Sequence, residues 1–128
     1  MMHQTMQPPT AVADFLADCP EAMHLTKRFG RNLEGLTKPE KSVLIVALAT
    51  EIGIWSSGNP ALPTLPQILE VMFEGRAFDL ADLEISNLRY IASTIEEIDE
   101  HEQIRFITCL SAQMVANQYR ELAPADFR

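Results

Sequence analysis

The residues nearest to a metal-binding pattern form a run of five acids between positions 96 and 102, which encloses one histidine. Glu97 and His101 are four residues apart, so one helix face would carry both side chains. Metal sites on helices collect Glu and Glu-x-x-His groups from several helices, and that spacing is not met here. His3 and His24 are isolated in the sequence. We therefore predict no metal site, and a solvated turn between two helices is the simpler interpretation.

The residues nearest to a nucleophilic pair are Cys19 and His24, which are five positions apart. Nucleophilic catalysis needs a base beside the thiol and a third group that orients the base, and no motif supplies these groups. Cys109 falls among apolar residues of the last predicted helix. The sequence also lacks a Gly-rich phosphate loop and a Cys-x-x-Cys pair. We predict a chain that is not an enzyme, binds no cofactor and keeps its two thiols reduced; a disulfide between the cysteines is the alternative.

The charge is unevenly distributed along the chain. The net charge is -8, and residues 64–128 carry twelve acids against five bases. Five of the ten basic residues lie between positions 27 and 41. An acidic surface disfavours phosphate and favours a protein with a basic surface. The predicted partner-binding acids are Glu96, Glu97, Asp99, Glu100 and Glu102.

A second candidate surface is the loop that follows the only tryptophan. Residues 56–66 contain three prolines, and Leu62 follows Ala61 between two of them. A stiff loop that presents Leu62 beside Trp55 would form a binding edge, because loops on a rigid scaffold often carry function. The alternative is that Trp55 covers one end of the core and the prolines only stiffen a connection.

The elements that position these residues are predicted to be helices. Thr37-Lys38-Pro39-Glu40 is a capping box with proline in the first turn. Residues 43–55 are apolar on nearly every side, with Glu51 as the single charge, which is typical of a buried helix. A central helix over about residues 38–56 follows, with a buried strand at residues 42–49 as the competing interpretation. The predicted core residues are Leu44, Ala47, Leu48, Ile91, Ile95, Ile107 and Leu110.

Four further signals place the other helices. Asp18 is the predicted cap of a helix that ends at Gly35, Thr64 and Gln67 repeat the capping-box spacing, and Asp99 can cap the last helix. The apolar seam Leu88, Ile91, Ile95 and Ile98 can cover the central helix or pair with a second chain. The predicted fold is all-α, a single compact domain of five or six helices. Residues 1–9 would form a flexible arm and residues 10–128 the helical domain.

These patterns favour an interaction protein over other classes. The leading prediction is a non-enzymatic acidic protein-interaction module: an adaptor, an assembly factor or an inhibitor or immunity-like modulator. The alternative is a small-molecule-binding regulatory domain with a pocket between the central helix and the last two helices. The longest apolar run, Val43 to Ala49, is short of the ~20 residues of a membrane span. We predict a cytoplasmic protein with no nucleic-acid or membrane partner, and a homodimer joined by the seam and the opposite charge clusters.

Overall fold

The computed structural model describes residues 9–58, 63–75 and 79–121, and within these ranges the chain forms five α-helices and no β-strand. The helices are α1 (Pro20–Phe29), α2 (Lys38–Ser56), α3 (Leu65–Glu74), α4 (Ile85–Ile95) and α5 (Glu100–Val115), with single 3-10 turns at Val12–Asp14 and Leu80–Asp82. The predicted all-α fold is confirmed. The predicted arm over residues 1–9 stays a prediction, because residues 1–8 lie outside the described ranges.

Helix α2 forms the centre of the fold, as its sequence predicts. Its N-terminus is closed by the predicted capping box: the Thr37 hydroxyl accepts from the Glu40 N–H, and a Glu40 carboxylate oxygen accepts from the Thr37 N–H. The helix contacts α3, α4 and α5. The second Glu40 oxygen accepts from the N–H of Glu84, at 2.6 Å. Glu40 therefore caps its own helix and also holds the start of α4 against it.

The core lies between α2 and the helices around it. Six of the seven predicted core residues are buried, while Ile107 is only half-buried. The buried face of α5 differs from the prediction at Ile107: Gln103 and Gln113 are buried together with Phe106 and Leu110, while Ile104 is 43% exposed. Both glutamines can be buried because each amide has a partner inside the fold: Gln113 accepts from the ammonium of Lys41, and Gln103 donates to the carbonyl oxygen of Ile95. Three residues of the predicted seam, Leu88, Ile91 and Ile95, are buried in the core. Because α4 packs against α1, α2 and α3, these residues are not available to a second chain.

Helix α1 differs from its predicted bounds at both ends. Its N-cap is Cys19, whose sulfur accepts from the N–H of Ala22, and not Asp18. It ends at Phe29 and not near Gly35, because Gly30 adopts a φ of 104°. A Cβ on Gly30 would meet the end of the Glu34 side chain, which is flexible and can move aside. The positive φ therefore favours glycine at the point where the helix stops.

Candidate functional site

The acidic run forms the turn between α4 and α5, which we call the acidic junction (residues 96–102). Two of its five acids bond to distant parts of the chain, and a third caps α5. Glu96 accepts from the N–H of Leu65 at the first turn of α3, at 2.8 Å. Glu102 accepts from the N–H of Ala17 at 2.7 Å, and Asp99 caps α5 by accepting from the N–H of Glu102. These carboxylates fix the shape of the junction.

The other two acids of the junction, Glu97 and Glu100, point into solvent. Both are exposed, and neither carboxylate has a hydrogen-bond or salt-bridge partner within the described part of the chain. His101 is exposed beside them. The junction thus presents two carboxylates on a turn whose backbone is held at three points. Of the five predicted acids, these two are the ones whose carboxylates make no hydrogen bond or salt bridge within the described residues.

Removing the cap of α5 tests whether Asp99 stabilises the fold while the solvent-facing Glu97 does not. We expect Asp99→Ala to lower the free energy of unfolding by about 1 kcal/mol, because the N–H of Glu102 loses its acceptor. Glu97→Ala removes the same charge two residues away and should change it by less than about 0.5 kcal/mol. Urea unfolding of both variants measures the difference. Equal losses in the two variants would contradict the structural role of Asp99.

Of the other predicted pair, Trp55 and Leu62, the structure describes only Trp55. Trp55 is half-buried at the end of α2, and its indole N–H is buried without an acceptor in the described ranges. Leu62 lies outside the described residues, so the predicted binding edge stays a prediction.

The thiols show no sign of activation. Both cysteines are free, so the alternative of a disulfide between them does not hold. Burial raises the pKa of the Cys109 thiol to about 12, which is the opposite of what a nucleophile needs. Cys19 caps α1, and His24 is exposed. Across the described ranges, no three His, Cys, Asp or Glu side chains gather in a metal-binding arrangement.

The sequence did not predict a pair of adjacent carboxyl groups, Glu51 and Glu96, of which Glu51 is fully buried. Glu51 of α2 is 0% exposed, and in the described structure neither of its oxygens meets an N–H or hydroxyl donor. Desolvation and, to a smaller extent, the adjacent Glu96 carboxyl together raise the pKa of Glu51 to about 8. Two carboxyl groups can bond to each other only while one keeps its proton. Glu51 is therefore a neutral acid at pH 7, and the single charge in an apolar helix was the only sequence signal of it.

The buried cation at the other end of α2 has every donor satisfied. The ammonium of Lys41, which is 0% exposed, donates to the carbonyl oxygens of Asn32 and Gln118 and to the side-chain oxygen of Gln113. Burial lowers the pKa of Lys41 to about 8, so the ammonium stays charged at pH 7. This lysine ties α2 to α5 and to the loop after α1. Lys41 is consequently not part of a basic surface.

Open apolar space lies between α2 and α3. A cleft of about 270 Å³ is lined by Ile54 and Thr50 of α2, by Ile68, Val71 and Met72 of α3, and by Pro63 and Gln67. Val71 is 66% exposed at its edge. By contrast, the α2–α5 interface, where the sequence predicted a pocket, contains the fully buried Leu48, Phe106 and Leu110.

Comparison of the chain with protein-family models, curated proteins and solved structures yields no match. In the described part of the chain, no helix has both the length and the apolar character that crossing a membrane requires. Function is therefore inferred from the chain's own residues.

Proposed function

We propose that this protein is a non-enzymatic, acidic protein-interaction module, an adaptor, assembly factor or inhibitor-like modulator, that meets a basic protein surface with its acidic junction. The observation that supports this function is the pair of exposed carboxylates, Glu97 and Glu100, on a turn fixed by its three neighbouring acids. A turn held in place loses little freedom when a partner binds, so more of the interaction energy is kept. The net charge of -8 adds long-range attraction for a basic partner.

The partner is expected to be a protein, because carboxylates at the junction repel nucleic-acid phosphates. The cytoplasm is the proposed location, where free thiols such as Cys19 and Cys109 stay reduced. Exposed charges at the edge of an interface act mainly on the association rate. Partner binding should therefore be fast at low salt and should slow as salt screens the junction.

The test is a matched pair of double variants. Glu97→Gln with Glu100→Gln removes the two free carboxylates and leaves the three structural acids in place. Glu74→Gln with Asp82→Asn removes the same charge from exposed positions outside the junction. Immobilised wild-type protein is first used to isolate binders from the host extract, and association rates of each purified binder are then measured at two salt concentrations.

We expect the junction variant to slow association by about tenfold at low salt and the control variant to slow it much less. The salt dependence should also fall in the junction variant, with little change in the dissociation rate. Equal effects of the two variants would show that only net charge matters. Unchanged association in both would remove the junction from the binding surface.

A second function is favoured by the cleft between α2 and α3. As a small-molecule-binding regulatory domain, the protein would hold an apolar ligand against Ile54 and Met72. A ligand that binds only the folded state raises the melting temperature as its concentration rises. A screen of apolar compounds by thermal shift tests this alternative, and a true ligand should lose its effect in Met72→Glu.

A further inference from the structure

The outer face of α2 carries no charge over four turns. Its exposed residues between Ser42 and the end of the helix are uncharged and mostly small, and the two ionisable groups nearest to it, Lys41 and Glu51, are buried. The exposed residues are Val46, Ala49, Thr50, Gly53 and Ser56. This is an unusual surface on a protein whose net charge is -8.

The same face carries a side chain that projects from the surface and a cleft that can accommodate one. Val71 of α3 projects with 66% of its surface exposed, and Val46 of α2 is 45% exposed. Between the two helices lies the apolar cleft of about 270 Å³, and its lining residue Thr50 is one turn beyond Val46. A twofold contact between identical chains needs one surface to supply both partners of each contact. We call this surface the α2–α3 face.

The distribution of charge on the protein indicates which kind of molecule binds to the α2–α3 face. Two copies of an acidic chain repel one another wherever their acids meet. The α2 side of this face brings no acid into contact; on the α3 side Glu70 is paired with Arg89, and the exposed Glu74, one turn beyond Val71, is the acid whose repulsion remains. A basic partner would gain nothing from an uncharged surface and would be drawn to the acidic junction instead. A second copy of the chain is thus the occupant that the distribution of charge favours.

The backbone of α2 also permits a close approach. A Cβ on Gly53 would meet no atom within 4 Å, so the helix surface at this point is open. Glycine in the middle of a helix costs about 0.5–1 kcal/mol relative to alanine. Its position beside Ala49 and Thr50 makes the surface flat enough for another helix to pack against it.

We propose that two copies of this chain associate about a twofold axis through the α2–α3 face, with Val71 of each copy seated in the cleft of the other. The dimer goes beyond the proposed function, since it would carry two acidic junctions and so bind partners bivalently. Apolar burial supplies the affinity, and the remaining charge opposes it. Dimerisation should therefore strengthen when salt screens the repulsion, whereas partner binding at the junction should weaken.

Sedimentation equilibrium of the full chain at low and high salt tests the dimer. The expected result is a concentration-dependent rise from 14.4 kDa to twice that mass, with tighter association at high salt. Val71→Glu and Gly53→Glu each place an acid in the interface, and we expect the dissociation constant to rise by about tenfold or more in both. Gly53→Glu has room in the monomer, so the monomer should remain folded by circular dichroism.

Val115→Glu is the control, because Val115 is 84% exposed near the end of α5, outside the α2–α3 face, and it should leave the dimer intact. A mass of 14.4 kDa for the wild type at every concentration and salt would overturn the proposal. So would a dimer that survives both interface variants, or one that weakens as salt is raised. If the wild-type protein forms the dimer but no partner binds at its acidic junction, the result contradicts the proposed function and leaves the dimer standing.

Discussion

The wild-type protein should lose stability between pH 5.5 and pH 8, and replacing Glu51 by glutamine should abolish most of that loss. In the unfolded chain Glu51 releases its proton near its ordinary pKa of 4.5, and in the folded protein near 8. Between these values the folded state holds the additional proton, so the free energy of unfolding falls as pH rises. The expected loss is about 3 kcal/mol over this interval. Glutamine stays neutral and can still donate a hydrogen bond to Glu96.

Urea unfolding at pH 5.5 and pH 8 measures this effect. Comparing the variant with the wild type cancels the contribution of the histidines. Glu70→Gln removes an exposed carboxylate whose pKa is lowered by its bond to Arg89, so it should keep the wild-type slope. A wild-type stability that does not change over this interval would mean that Glu51 is ionised and solvated.

Above pH 8 the buried Lys41 has the opposite effect to Glu51, because it makes the free energy of unfolding rise with pH. The pKa of Lys41 is lowered from 10.5 to about 8 by burial, against the attraction of the Glu34 carboxylate. Between these values the unfolded chain holds the extra proton, so stability rises with pH. The contributions of Glu51 and Lys41 together place a minimum of stability near pH 8.

Leu48→Ala should lower the free energy of unfolding by about 2–5 kcal/mol, because it combines lost apolar burial with a cavity at the centre of the core. Leu48 is 0% exposed and lies on α2, which three other helices contact. Ile104→Ala, on the exposed side of α5, is the matched control and should cost less than about 1 kcal/mol. Denaturant midpoints at constant slope measure both changes. A loss below about 1 kcal/mol for Leu48→Ala would contradict the central position of α2.

The sequence alone determined where three helices begin and which helix is central. The caps at Thr37, Thr64 and Asp99 bond to an N–H three residues further along. Such bonds depend only on local conformation, so residue types at fixed spacing predict them. The apolar character of α2 likewise favoured burial, and three helices pack against it, although its outer face, which includes Val46 and Ala49, stays exposed.

Only the tertiary structure decided what each polar residue does. Glu96 and Glu97 are adjacent acids, yet one holds the start of α3 and the other faces solvent. Glu102 bonds to the N–H of Ala17, 85 positions away, and Lys41 bonds to Gln113, 72 positions away. A carboxylate has the same length and the same two acceptor oxygens whether it faces water or a buried amide. Its role is set by which distant group folding brings within 3 Å, and sequence spacing carries no record of that distance.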